Sequence, residues 1–255
     1  MRFLGALSAF LAALTLAGCG DDGTETVTVR ETVTETAASS VPAEAPALVT
    51  LYFLDEGKVW PELRGIVSRP DIATVTIHQL LEGTENGELT TAIPPGTTLQ
   101  RLTIDGGVAS IELSPALTDR KALAQVAYTL TQFDTVRRVS FDGGRPMGRP
   151  AFEQQTPAIL VESPLSGQEV EPGFEASGTA NTFEATFQYE LRDSAGKILT
   201  KDFVTATSGT GTRGTFSFTV PYEVPSAQQG RLVVFEISAA DGSRTNERSI
   251  PLQLR

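Results

Sequence analysis

Cysteine occurs once in this sequence, at Cys19, and histidine once, at His78. A single cysteine excludes any intramolecular disulfide and any metal cluster built on thiolates. His78 has no second histidine or neighbouring cysteine with which to build a metal site, and no serine lies in a nucleophile-elbow sequence. Neither a zinc centre nor a Ser-His-Asp hydrolase is written in these residues. Basic residues are also few: 20 Lys and Arg stand against 31 Asp and Glu, a formal net charge of -11. The acidity is spread along the chain and the sequence shows no basic face, which argues against nucleic acid and against electrostatic adhesion to anionic lipid. The longest apolar run, Phe3 to Leu16, falls short of the roughly 20 residues a spanning helix needs.

That run has the three parts of a secretory signal: Arg2 as the positive start, the apolar stretch, and the small residues Ala17 and Gly18 directly before Cys19. Leu16-Ala17-Gly18-Cys19 resembles the bacterial lipobox. The resemblance implies a signal over residues 1–19, removed so that Cys19 becomes the first residue and carries thioether-linked lipid. The alternative is an ordinary signal peptide with a spare thiol. Two or more acyl chains, buried at roughly 0.8 kcal/mol per methylene, hold such a protein on a membrane. No cofactor beyond this covalent lipid is expected.

Residues 20–47 hold six carboxylates, one arginine and, as bulky apolar residues, four valines. Such a composition buries too little surface to offset the entropy of ordering, so the segment reads as a disordered acidic tether. It would reach roughly 90 Å fully extended, or on the order of 30 Å as a coil. An edge strand built on its Thr-Val alternation, or threonine glycosylation, is the other reading.

Some 208 residues follow, enough for two domains with separate cores. Leu48 to Leu54 reads as a strand ended by the turn cluster Asp55-Glu56-Gly57. Ala73, Ile77, Leu80 and Leu81 mark one helical face, stopped by Gly83. Thr98 to Ile104 and Val108 to Leu113 form a hairpin, with positive φ expected at Asp105-Gly106. A second helix, capped near Thr118, carries Leu123, Val126, Ala127, Leu130 and Phe133, and Val136 to Phe141 closes the unit as a strand. The order strand-helix-strand-strand-helix-strand predicts helices on one face of a small mixed sheet.

Tyr52-Phe53-Leu54, His78 to Gly83, Thr91 to Thr97, Asp105 to Ser114 and Gln125 to Phe133 together resemble the GerMN domain of bacterial sporulation and spore-germination lipoproteins. The resemblance covers residues 48–145. Each motif also has a structural reading, and none of them carries reactive groups.

After a Gly- and Pro-rich linker at residues 146–157, the pattern changes to period two. Phe187, Tyr189 and Leu191, then Phe216, Phe218 and Val220, then Val233, Phe235 and Ile237 alternate with polar or outward residues. Turn clusters fall between them. About seven short strands without helix predict an all-β sandwich of immunoglobulin type, its core made by aromatic residues in place of a disulfide. Val161 to Pro164, Gly178 to Phe187, Thr205 to Phe216 and Phe235 to Gly242 resemble the immunoglobulin-like domain that follows GerMN in these lipoproteins, here over residues 158–255. The fold class expected is therefore α+β.

Few residues suggest a site. Trp60, beside Pro61, is a weak candidate for stacking on a sugar ring. Asp55-Glu56 reads as a turn before it reads as a catalytic carboxylate pair. Asp193, Asp202 and Asp241 lack the dense spacing of a calcium loop. The loop Ser208 to Gly214 lacks the lysine and helix start of a phosphate-binding loop and reads as a hairpin loop or contact surface. The resemblance implies a non-enzymatic lipoprotein on the outer face of the cell membrane, anchored through Cys19, with other envelope proteins or an oligomer as partners. GerMN domains are similar to ring-building modules of envelope assemblies. A module that binds or senses a small ligand or cell-wall glycan is the alternative.

Overall fold

The computed structural model describes residues 46–67 and 69–255. The expected signal, Cys19 and all but the end of the expected tether lie outside the described residues.

Strands β1 (Pro46–Asp55) and β2 (Lys58–Val67) form a hairpin in which Asp55 faces Lys58 across the loop Glu56-Gly57. Both loop residues have positive φ, 48° and 75°, the twist a two-residue hairpin requires. Strand β2 is an addition to the expected order. Pro61 and Gly65, two residues that strands disfavour, conceal it in the sequence. The fold tolerates Pro61 because it pairs with Tyr52, whose backbone N–H and C=O both point away from β2. No ladder bond is lost there.

The polar groups on that far edge of β1 are met by side chains of α2 (Arg120–Leu130) and the residues just beyond it. Gln132 accepts from the Thr50 N–H and donates to its carbonyl, both at 2.7 Å. Thr129 Oγ1 accepts from the Tyr52 N–H at 3.0 Å, and Gln125 Nε2 donates to the Tyr52 carbonyl at 3.1 Å. Leu54 and Thr90 exchange backbone bonds of 2.8 and 2.9 Å. Gln125, Thr129 and Gln132 fall at i, i+4 and i+7, so one stripe of the helix serves as a partner strand. Its apolar residues Val126, Ala127 and Leu130 pack into the core with Ile77 and Leu80 of α1 (Ile72–Glu82). Helix α1 stops at Gly83, with φ 101°.

With this edge of β1 occupied, the sheet does not extend across it. The expected single mixed sheet is instead two: the β1–β2 hairpin, and a three-stranded sheet of β3 (Thr98–Asp105), β4 (Val108–Ser114) and β5 (Arg138–Phe141). Strand β4 pairs antiparallel to β3 and parallel to β5. The observed order is strand-strand-helix-strand-strand-helix-strand. Positive φ at the β3–β4 turn falls on Gly106 and Gly107, one residue later than expected, because Asp105 still pairs with Val108. Asp119, one residue past the expected cap, caps α2 by accepting from the Lys121 N–H at 2.6 Å.

The second half holds two sheets. One has five strands in the order β10 (Ile198–Thr205), β9 (Thr186–Asp193), β12 (Gln228–Ile237), β13 (Arg244–Leu254) and β7 (Glu169–Val170). The other runs β11 (Gly214–Val220), β8 (Phe174–Ala180), β6 (Ile159–Ser163). Their facing sides meet through aromatic rings: Phe187 lies 4.9 Å from Phe216, and Tyr189 lies 4.5 Å from Phe218. Edge-to-face and tilted pairs of this kind supply the cohesion that a disulfide gives elsewhere.

Gly178 marks the tightest point. A Cβ there would stand 2.0 Å from the Leu160 carbonyl oxygen and 2.9 Å from the Phe216 ring. Gly178→Ala should therefore destabilise the chain by about 1–3 kcal/mol or more. A lower denaturant midpoint would register this, and an unchanged midpoint would show that β8 can move away from β6.

Candidate functional site

The segment read as a linker holds two partly buried charged residues, Arg149 and Glu153, that reach into both halves. Pro150 opens a 3-10 turn, Arg149–Gln155, which buries Phe152 completely beneath the Arg120 guanidinium. Arg149 sits over the rings of Tyr128 and Tyr52, 4.6 and 5.5 Å from their centres. Its Nη1 bonds Glu162 Oε1 of β6 at 2.6 Å, and its Nε donates to Thr131 at 2.7 Å. The Tyr52 hydroxyl donates to the same Glu162 oxygen at 2.5 Å. Burial, then the Glu162 charge, pushes the Tyr52 ionisation well above its usual range, so the phenol stays a donor.

Glu153 makes the second link. Arg213 Nε and Nη2 grip its two oxygens at 2.9 Å each, and Asn181 adds a third bond at 2.9 Å. Arg213 Nη2 also donates to the Pro157 carbonyl at 2.7 Å. The loop Ser208 to Gly214 is thus a contact surface: Gly209 and Gly214 leave no room for a Cβ against neighbouring backbone, and the Gly211 N–H bonds Asn181. A third link joins β13 to the first hairpin, where Arg248 bonds Glu56 at 2.8 Å and lies 3.6 Å from Asp55 and 6.0 Å from the Trp60 ring centre. Asp55-Glu56 serves as a turn and as the acceptor for this arginine.

Trp60 is 8% exposed. It lines a cleft of about 410 Å³ between β2 and the second half, together with Glu62, Asn86, Ser166, Gly167 and Pro251. Burial pushes the Glu62 pKa up, but hydrogen bonds from Thr84 and Arg64 outweigh it and hold the carboxylate below its ordinary value. An ionised acceptor beside an amide suits a ligand rich in hydroxyl or amine donors. The other candidates stay apart. His78 is exposed on α1. Asp193 and Asp241 bond backbone N–H groups within their own turns, and Asp202 bonds the N–H of Phe203. Among the described residues no three His, Cys, Asp or Glu side chains gather as metal ligands. Sequence reasoning missed Arg149, Glu153, Glu162 and Arg213, because residues 13 and 60 positions apart pair here without any local pattern.

The Glu153 carboxyl gives the clamp a pH signature. Burial pushes its pKa up, yet the bonds from Arg213 and Asn181 prevail and hold it below the ordinary glutamate value. A folded value below the unfolded one means a stabilisation complete above the unfolded pKa, about 4.3, and lost as pH falls through the folded value. Glu153→Gln should lower Tm by about 2–4 °C at pH 7, equivalent to about 1 kcal/mol for a chain of this size. The gap from wild type should close between about pH 5 and pH 3. Parallel Tm curves across that range would show that the pair contributes nothing.

Comparison with known proteins assigns these halves. Residues 50–144 match the family model described as sporulation and spore germination, and residues 158–243 match the immunoglobulin-like domain of bacterial spore germination. Among solved structures, a Clostridium perfringens protein named as a candidate lipoprotein is 19% identical, with 44% of this chain and 93% of that one covered, at a TM-score of 0.30. The tandem GerMN domains of the sporulation protein GerM from Bacillus subtilis are 17% identical. That match covers 69% of this chain and 62% of that one, at a TM-score of 0.33. At such scores the two structures support no functional argument, and the family matches carry the assignment. No curated protein matches the chain. The chain carries, in this order, a GerMN domain of the sporulation and spore germination family and an immunoglobulin-like domain of bacterial spore germination.

Proposed function

We propose that this protein is a lipid-anchored lipoprotein on the outer face of the cell membrane, and that its two domains act as a non-enzymatic interaction module for other envelope proteins. The observation that carries the reading is the order of parts: a lipobox-like Leu16-Ala17-Gly18-Cys19, an acidic stretch over residues 20–47, and two germination-family matches over residues 50–144 and 158–243. The junction supports it physically. Three arginines, Arg149, Arg213 and Arg248, tie the domains together, so a partner would meet a surface whose geometry is fixed before binding. The cleft beside Trp60 favours a second reading, a site for a cell-wall glycan or another donor-rich small ligand.

Replacing Cys19 with Ala should move the protein to the soluble fraction and abolish fatty-acid labelling. A variant that stays on the membrane would remove the anchor from the proposal. Crosslinking in living cells, followed by muramidase digestion, separates the two readings. Recovery of particular envelope proteins is the expected outcome, whereas recovery of glycan fragments alone would transfer the function to the cleft.

A further inference from the structure

We infer that the solvent-facing side of the five-stranded sheet docks a segment of a partner protein that carries both acidic and apolar side chains. The inference rests on the interaction reading above and assigns it a surface. Directly paired residues of antiparallel strands point to the same face, so the register sets out three rows across β10, β9 and β12. They read Ile198, Arg192, Arg231; then Lys201, Glu190, Val233; then Phe203, Gln188, Phe235. Phe187 and Tyr189, which alternate with these residues in β9, meet the other sheet, so the rows lie on the opposite side, where Glu190, Val233 and Phe235 are buried and the residues around them are exposed in part or in full.

Arg244 of β13 joins them, 3.8 Å over the Phe235 ring and 2.5 Å from Glu190 Oε1. Three cations, Arg192, Lys201 and Arg244, therefore gather around one buried carboxylate, with Glu247 3.3 Å from Arg244 at the margin. A charge count along the sequence does not disclose this cluster, since strands far apart in sequence bring these residues together. Burial pushes the Glu190 pKa up, but bonds from Arg244 and Arg192 prevail and keep it ionised, so that charge is already spent inside the face. Arg231 is exposed and makes no ion pair among the described residues. Charges beyond about 8 Å are screened at physiological salt, so acids elsewhere on the chain bear little on Arg231.

Apolar side chains stand in the same place. Phe203 is 67% exposed and Ile198 43%. Phe183, at 62%, and Ile237, at 44%, line a hollow that also includes Gln188 of the third row and two carboxylates, Glu184 and Glu236, so the cationic part of the face lies towards Lys201 and Arg231. Arginine and aromatic residues grouped on one surface have the composition of an interface centre. A bare polyanion would account for the arginines but leave Phe203 and Ile198 in water, so the occupant needs apolar groups as well. Strand addition along β10 is opposed by its own side chains. The Phe203 N–H is bonded to Asp202 at 2.8 Å, and the Thr200 hydroxyl is bonded to the Pro221 carbonyl. The partner would lie across the face.

The test uses the full-length chain in neutral detergent with labelled poly(Glu,Tyr) and poly-Glu of equal length, followed by anisotropy. Poly(Glu,Tyr) should bind about tenfold more tightly than poly-Glu, and the double substitution Phe203→Ser, Arg231→Glu should weaken it about tenfold with Tm unchanged. Absent binding, or equal binding by the double variant, would overturn the inference. Equal affinity for poly-Glu would reduce the face to an anion surface, and displacement by dihexanoyl phosphatidylglycerol would give it to lipid; either result also overturns it. If wild type and double variant crosslink the same envelope proteins in cells with equal yield, the interaction module stands and this face is not its site.

Discussion

Strand β1 runs through the core with one edge turned away from β2, and the polar groups on that edge must be bonded inside the protein. A buried N–H or C=O left unmet costs about 1–3 kcal/mol. Thr50, Tyr52 and Leu54 present six such groups, and Gln132, Thr129, Gln125 and Thr90 answer all of them. This fixes the rotation and height of α2 against the hairpin more narrowly than apolar packing could, since hydrogen bonds are directional and burial is not. The position of α2 in turn sets Tyr128 and Thr131, which hold Arg149. The junction between the domains is thus built on the bonding of one strand edge.

That junction then constrains how the domains move. Arg213 and Arg149 are mostly buried, and parting the domains would leave charged groups without partners in places that water does not fully reach. Removing one member of such a pair is costly even where the pair itself adds little net stability. The linker therefore acts through specificity of arrangement: its residues hold one relative placement, and the cleft beside Trp60 keeps its shape as a consequence.

How much of this the sequence disclosed depended on whether the cause was local. Gly83 and the apolar spacing of α1 and α2 are local signals, and so is the glycine pair between β3 and β4; the elements they mark are present. Strand β2 was hidden because Pro61 and Gly65 contradict local preference, and only the outward orientation of Tyr52 makes Pro61 acceptable. The Arg149–Glu162 and Arg213–Glu153 pairs leave no periodic trace, since each joins a residue of the linker to a strand or loop of the second domain. The cationic face was invisible for a related reason: Arg192, Lys201, Arg231 and Arg244 lie on four strands, and a charge count along the chain averages them with their acidic neighbours.

The kind of cation matters as much as its place. Sixteen of the 20 basic residues are arginine, and four of them, Arg120, Arg149, Arg244 and Arg248, lie over aromatic rings while bonding oxygen acceptors at the same time. A planar guanidinium can stack and donate in its own plane, whereas an ammonium offers a compact, strongly hydrated charge that does neither well. In an acidic chain, a scarce cation that must both cover a ring and satisfy a buried carboxylate has to be arginine. The same chemistry therefore serves the clamp at Arg149 and the outer face at Arg244: the first spends its donors inside the protein, and the second sits beside Arg231, whose donors face outward.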